Sequence, residues 1–155
     1  MDNVLNLKYY CGQDNYSDGD IEDELLEVVK NNDEYYDFLC DNSDWTYLYH
    51  LSPIRENLLE WYDFNKDGSL LEIGSGCGAL TGLFCSKLSR VVGIDLSKKR
   101  SLINAYKNKK YNNFEIYVGN FTDIAIEEKF DYVTLIGVLE YSCYYVGGAN
   151  AFADM

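Results

Sequence analysis

Residues 70–78 read Leu70-Leu71-Glu72-Ile73-Gly74-Ser75-Gly76-Cys77-Gly78, an apolar run that ends on three glycines at alternate positions. The stretch from Ala79 to Leu88 has helical character, so the glycines sit between a buried strand and a helix. A bare backbone at the carboxyl edge of a sheet admits a ligand closer than any Cβ would permit. Downstream the alternation continues. Arg90–Ile94 reads as a second strand, Ser97 to about Lys109 as a helix capped by its serine, and Phe114–Val118 as a third strand. A shorter link over residues 119–129 leads to a fourth strand at Phe130–Ile136. Apolar strands joined in this way predict an α/β fold with a doubly wound, mainly parallel sheet and right-handed crossovers.

Ahead of Ser69 the chain has a different character. The net charge is −13, and all of it lies in residues 1–67, which carry 17 acidic and 4 basic side chains; residues 68–155 carry 9 of each. That surface repels phosphate backbones and argues against nucleic acid as a partner. Residues 1–19 are polar and rich in turn formers, which predicts an irregular lead-in. Helices are expected at Asp20–Lys30, at Asp33–Cys40, and from the Ser52-Pro53 start to about Tyr62. Together these divide the chain into an acidic helical extension over residues 1–50 and a ligand-binding domain over residues 51–155. No apolar run approaches the roughly 18 residues of a membrane span, and no signal-peptide pattern opens the chain, so a cytoplasmic protein without a membrane partner is expected. The five cysteines include no C-x-x-C pair and His50 is the single histidine, which predicts reduced thiols and no metal centre.

Asp95 stands 21 residues beyond Gly74, at the end of the second strand. An acid placed there accepts the two ribose hydroxyls of an adenosine-type ligand and repels a 2′-phosphate. Gly74 to Ala79 also satisfies G-x-G-x-x-(G/A), so an NAD-dependent oxidoreductase remains an alternative on the loop alone. Glu72 discriminates. A pyrophosphate gains nothing from a carboxylate beside it, whereas a ligand with an ammonium or sulfonium does. That favours S-adenosylmethionine.

Glu72-Ile73-Gly74-Ser75-Gly76-Cys77-Gly78 resembles the first motif of class I S-adenosylmethionine-dependent methyltransferases, and Gly93-Ile94-Asp95-Leu96-Ser97 resembles their second-strand motif. Gly119-Asn120-Phe121 is similar to the loop after the third strand, and Phe130–Val133 through Gly137-Val138-Leu139-Glu140-Tyr141 to the fourth strand and its exit. The resemblance spans about residues 50–145 and implies a Rossmann-like domain that binds S-adenosylmethionine. It further implies that Gly74, Gly76 and Gly78, with Ser75 and Cys77 between them, line the methionine and ribose portion. Glu72 would hold the loop and the cationic tail, Asp95 the ribose diol, and Leu96 one adenine face. Asn120 would accept from the adenine amino group, the Phe121 amide would donate to a ring nitrogen, and Gly137 would border the sulfonium. Candidates for a catalytic base are Glu140, Tyr141 and His50, and Arg55 is a candidate partner for the cofactor carboxylate.

The run Gly78-Ala79-Leu80-Thr81 also resembles adenine dimethyltransferases of ribosomal RNA. Those carry an Asn-Leu-Pro-Tyr type motif after the fourth strand, where this chain reads Gly137-Val138-Leu139-Glu140-Tyr141. With the acidic charge, this directs the expectation to a small-molecule methyl acceptor, sugar-related on a faint further likeness. A complete class I domain has seven strands in the order 3-2-1-4-5-7-6. Only 19 residues follow Ile136, so the resemblance implies strands one to four of a C-terminally shortened domain. The fourth strand would then be an apolar edge open to self-association. A non-catalytic cofactor-binding partner subunit is the other alternative.

Overall fold

The computed structural model describes residues 4–14, 17 and 19–139. Five parallel strands form one sheet: β1 (Leu5–Asn6), β2 (Ser69–Ile73), β3 (Arg90–Asp95), β4 (Phe114–Val118) and β5 (Tyr132–Leu135), in the order β1-β4-β3-β2-β5. The helices are α1 (Ile21–Asn31), α2 (Tyr36–Asp41), α3 (Trp45–Leu51), α4 (Thr81–Lys87) and α5 (Lys98–Lys107). The expected parallel α/β sheet is thus present, and β2 lies inside it between β3 and β5. In β2 and β3 the apolar side chains are buried on both faces (Leu70, Ile73, Val91, Val92 and Ile94), as covered parallel strands require. Register places Glu72 of β2 beside Gly93 of β3 and Thr134 of β5.

Two apolar clusters hold the structure together. One gathers Phe64, Leu70, Phe84, Leu88, Val91, Phe114 and Ile116 around α4 and the strands. The other joins α1, α3 and α5 through Leu25, Val29, Tyr47, Leu51 and Ile103. Burying a leucine or isoleucine fully contributes about 1.5–3 kcal/mol relative to exposure, so the apolar stripe of α1 holds it on α3 and α5. A buried ion pair crosses the same contact: Arg100 Nε of α5 donates to Glu22 Oε1 at 2.7 Å.

The lead-in is not irregular throughout, because Leu5–Asn6 pairs with Ile116 and Tyr117 and closes the outer side of β4. Its ladder rests on backbone groups, with the Ile116 amide donating to the Val4 carbonyl at 2.7 Å. A two-residue strand has no side-chain periodicity to reveal it. Helix α3 also went unpredicted. Asp44 caps it by accepting from the Thr46 amide, and Tyr47, His50 and Leu51 face inward at helical spacing over only seven residues. After Ser52 the chain forms a 3₁₀ helix, Pro53–Leu58, in place of the expected longer α-helix; Ile54, Leu58 and Trp61 stay largely exposed and supply no buried face. Asp14 accepts from the amides of Lys98 and Lys99, so the lead-in also caps α5. At the other side of the sheet β5 is the edge among the described residues, with Val133 53% exposed.

Candidate functional site

The turn from β2 into α4 builds the floor of a cavity of about 500 Å³ at the carboxyl ends of the strands. Ile94 of β3 accepts from the amides of both Gly74 and Ser75, which holds the turn against the sheet. Gly76 has φ +53° and nothing within 4 Å of where its Cβ would stand, so its backbone faces open space in the cavity wall. Gly78 is different. It also has positive φ (+76°), but its Cβ would fall 2.2 Å from Asn104 Oδ1, and it does not line the cavity. Its bareness serves the packing of the loop on α5.

Glu72, Gly74, Ser75, Gly76, Cys77, Asp95, Leu96, Asn120, Phe121, Gly137 and Arg55 do line the one cavity, and so does His50. Asp95 pins the glycine turn: Oδ2 accepts from the Gly76 amide at 2.8 Å and Oδ1 from the Ser97 amide at 2.9 Å. A carboxylate offers about four lone-pair sites, so two remain for a ligand. Enclosure of that carboxylate raises its pKa, opposed by those two amides and by Arg100. Asn120 Oδ1 accepts from the Thr122 amide and caps a 3₁₀ turn at Phe121–Asp123, with a second lone pair left over. Arg55 lies 4.1 Å above the Tyr49 ring, and Tyr49 stands edge-on to His50. Burial pushes the Cys77 thiol far above its usual range, so it offers no thiolate nucleophile. Glu140 and Tyr141 lie outside the described residues.

Glu72 is buried in the cavity wall, and Thr81 Oγ1 donates to its Oε2 at 2.6 Å. Burial raises its pKa to about 8, and nearby Asp95 adds to the rise, while Thr81, Lys107 and Arg55 oppose it. An acid whose pKa is raised on folding stabilises the fold fully below its unfolded pKa, and that contribution is lost as pH climbs through the folded value. The ligand-free protein is therefore expected to lose on the order of 3 kcal/mol between pH 4.5 and 8, a slope that Glu72→Gln removes. Urea melts across that range check it; equal slopes in the two proteins contradict it. Burial lowers Lys107 to about 8, which adds the opposite slope above that pH, where the unfolded chain still holds the proton.

Trp45, Thr46 and Tyr49 of α3, Arg100 of α5, and Thr134, Ile136 and Val138 around β5 also line the cavity; Ile136 and Val138 flank Gly137 and Tyr49 opens the segment leading to Arg55, as the resemblance implies, while Trp45, Thr46, Arg100 and Thr134 were not anticipated. The signal for the first group was the aspartate-capped Trp45-x-x-x-Tyr49 spacing. Arg100 sat in a Lys-Lys-Arg run that reads as solvated, and its buried partner Glu22 is 78 positions away. The hydroxyl oxygens of Ser75 and Thr134 are buried without a hydrogen-bond partner, although both residues line the cavity. Among the described residues no group of three or more His, Cys, Asp or Glu is placed to hold a metal. No helix among them is long and apolar enough to cross a membrane.

Residues 71–149 match the family described as methyltransferase domain. An uncharacterized methyltransferase of Staphylococcus carnosus is 31% identical over 111 residues, 71% of this chain and 51% of its own length. A ribosomal RNA small subunit methyltransferase A of Borreliella afzelii is 31% identical over 68 residues, 44% of this chain and 24% of its own. Among solved structures, a SAM-dependent methyltransferase from Thiobacillus denitrificans in complex with S-adenosyl-L-homocysteine superposes with a TM-score of 0.53 at 18% identity, covering 79% of this chain and 51% of that one. The chain thus spans about half the length of the first curated relative and a quarter of the second. The family match covers half of the chain and includes the glycine turn, Asp95 and β5, so this chain belongs to the methyltransferase-domain family.

Proposed function

We propose that this chain is the cofactor-binding part of an S-adenosylmethionine-dependent methyltransferase acting on a small-molecule acceptor. The observation that carries the reading is the convergence of the open Gly76 backbone, Asp95 and the buried Glu72 on one cavity. In it Asp95 holds the ribose diol, Leu96 flanks one face of the adenine, Asn120 meets the adenine amino group, the Phe121 amide donates to a ring nitrogen, and Arg55 pairs with the carboxylate of the methionine tail. Glu72 faces the cationic tail, and Gly137 borders the sulfonium. The cofactor supplies a methyl group already activated by its sulfonium, so the protein's work is orientation and, for a weak nucleophile, acceptance of a proton, for which His50 is the candidate within the described residues. Trp45 and Tyr49 stand at the α3 side of the cavity, where an acceptor would approach.

Two features favour a small acceptor over RNA: the −13 charge concentrated in residues 1–67, and the absence of an Asn-Leu-Pro-Tyr type motif at residues 137–141. We read residues 1–50 as an acidic extension docked on the cofactor domain of residues 51–155. The function is tested by offering methyl-labelled S-adenosylmethionine with separated metabolite and RNA fractions of a cell extract. Label in the metabolite fraction is expected; label confined to RNA overturns the acceptor class, and a thermal shift with NAD but none with S-adenosylhomocysteine overturns the cofactor.

A further inference from the structure

Behind the glycine turn runs a chain of buried polar side chains that touches no ligand-facing space except at its end. Asn108, Asn104 and Thr81 are buried, the last two completely, and the chain ends on Glu72 in the cavity wall. Four such residues in a packed interior are costly unless every group is satisfied, and here they satisfy one another.

The direction of this chain is fixed by the backbone. Asn108 Nδ2 donates to the Asn104 main-chain carbonyl at 3.2 Å, and only the amide nitrogen can do so. The same nitrogen donates to Asn104 Oδ1 at 2.8 Å, which leaves Asn104 Nδ2 to donate to Thr81 Oγ1 at 3.0 Å. Thr81 has one hydroxyl proton, and with Glu72 ionised that proton goes to Glu72 Oε2 at 2.6 Å. With Glu72 protonated, the second lone pair of Thr81 Oγ1 is open to the carboxyl proton, so Thr81 holds the carboxyl in place in both states.

We propose that Asn108, Asn104 and Thr81 form a positioning relay that orients the Glu72 carboxyl and sets its proton affinity, so that uptake of a ligand bearing an ammonium releases one proton from Glu72. This rests on the reading of the cavity as a site for S-adenosylmethionine. The charged and titratable groups that face Glu72 are Asp95 at the end of β3, Arg55 from the 3₁₀ helix, Lys107 of α5 and Cys85 of α4, with Cys77 and His50 on the same wall. Of the side chains around Glu72, Thr81 has the one hydrogen bond to its carboxyl among the described residues, and it favours the charged form. Proton release balances simply: the O–H bond on Glu72 breaks, the proton passes to solvent, and the carboxylate pairs with the incoming ammonium.

The test is titration of S-adenosylhomocysteine, and of 5′-methylthioadenosine, which lacks the ammonium, between pH 6 and 8. For the unmodified protein, affinity for the first is expected to rise about tenfold per pH unit, and affinity for the second to stay flat. Thr81→Val is expected to raise the midpoint by about one unit and so weaken S-adenosylhomocysteine about tenfold at pH 7, with Thr81→Ser restoring the original profile. Should Thr81→Val not fold, Asn104→Asp carries the same expectation, because a carboxylate there draws the Thr81 proton away from Glu72. A Thr81→Val profile with an unchanged midpoint overturns the relay, as does an equal pH slope for 5′-methylthioadenosine. Failure of the unmodified protein to bind S-adenosylhomocysteine at any pH overturns the underlying cofactor reading instead.

Discussion

Asp95→Ala is expected to weaken S-adenosylhomocysteine binding about 100-fold, a loss of about 3 kcal/mol. Two separable effects add. The carboxylate accepts from the amides of Gly76 and Ser97, and hydrogen bonds to a charged group contribute about 1.5–3 kcal/mol each in favourable cases. Its removal releases the open end of the glycine turn and, on the proposed function, deletes the acceptor for the ribose diol. Asp95→Asn separates the two, since its side chain has one acceptor where the turn uses two; intermediate affinity is expected. Quenching of Trp45, which lines the cavity and is largely exposed, gives a direct readout. Unchanged affinity in Asp95→Ala would assign the acid to the fold alone and leave the cavity without its ribose contact.

Gly78→Val is expected to destabilise the protein by about 3 kcal/mol although its side chain would point away from the cavity. A non-glycine residue in the left-handed region costs roughly 1–2 kcal/mol, and overpacking a full interior adds about 1–3. The first atom of the new side chain would stand 2.2 Å from Asn104 Oδ1, 2.5 Å from its Cγ and 2.8 Å from Asn108 Nδ2. Either the turn lifts from α5 or the two asparagines move and break their bonds to Thr81. For a domain of this size that loss lowers the melting temperature by about 10 °C. A shift below about 2 °C would mean that the turn is not seated on α5 as described. At Gly76, where nothing lies within 4 Å of a Cβ, alanine meets no such obstruction and strains only the backbone.

How much of this was legible in the sequence depended on the length of each signal. Four of the five strands announced themselves as largely apolar runs of four to six residues; β2 and β3 have buried residues on both faces, while β4 alternates and β5 is partly exposed at the edge. Leu5–Asn6 carries no pattern at all; what defines it is the open edge of β4, a property of residues more than a hundred positions away. The cavity floor was readable because its chemistry is local: Glu72 through Gly76 and Asp95 are fixed by their place at strand ends. Its roof was not. Trp45 and Arg100 reach the cavity through the packing of α3 on α1 and α5, and that packing is settled by Leu25, Val29, Tyr47, Leu51 and Ile103 acting together. Gly78 shows the converse case. Its place in the motif suggested a ligand contact, while its neighbours Asn104 and Asn108 show that the glycine is needed behind the loop.

The buried relay lay beyond sequence reading for a similar reason. Thr81 looked like the start of a helix, and Asn104 and Asn108 like ordinary polar positions four residues apart on α5. Only their common burial beneath the turn makes them a set. The apolar moment of α5 is correspondingly interrupted, with Arg100, Ser101 and Asn104 inside along with Ile103 and Ala105.

A crystal structure of the chain with S-adenosylhomocysteine tests the central claim most directly. Adenosine is expected in the cavity with its ribose hydroxyls on Asp95, the Gly76 backbone against the ligand, and the amino group of the tail directed to Glu72. Density elsewhere, or a glycine turn collapsed into the cavity with Asp95 facing away from it, would contradict the account.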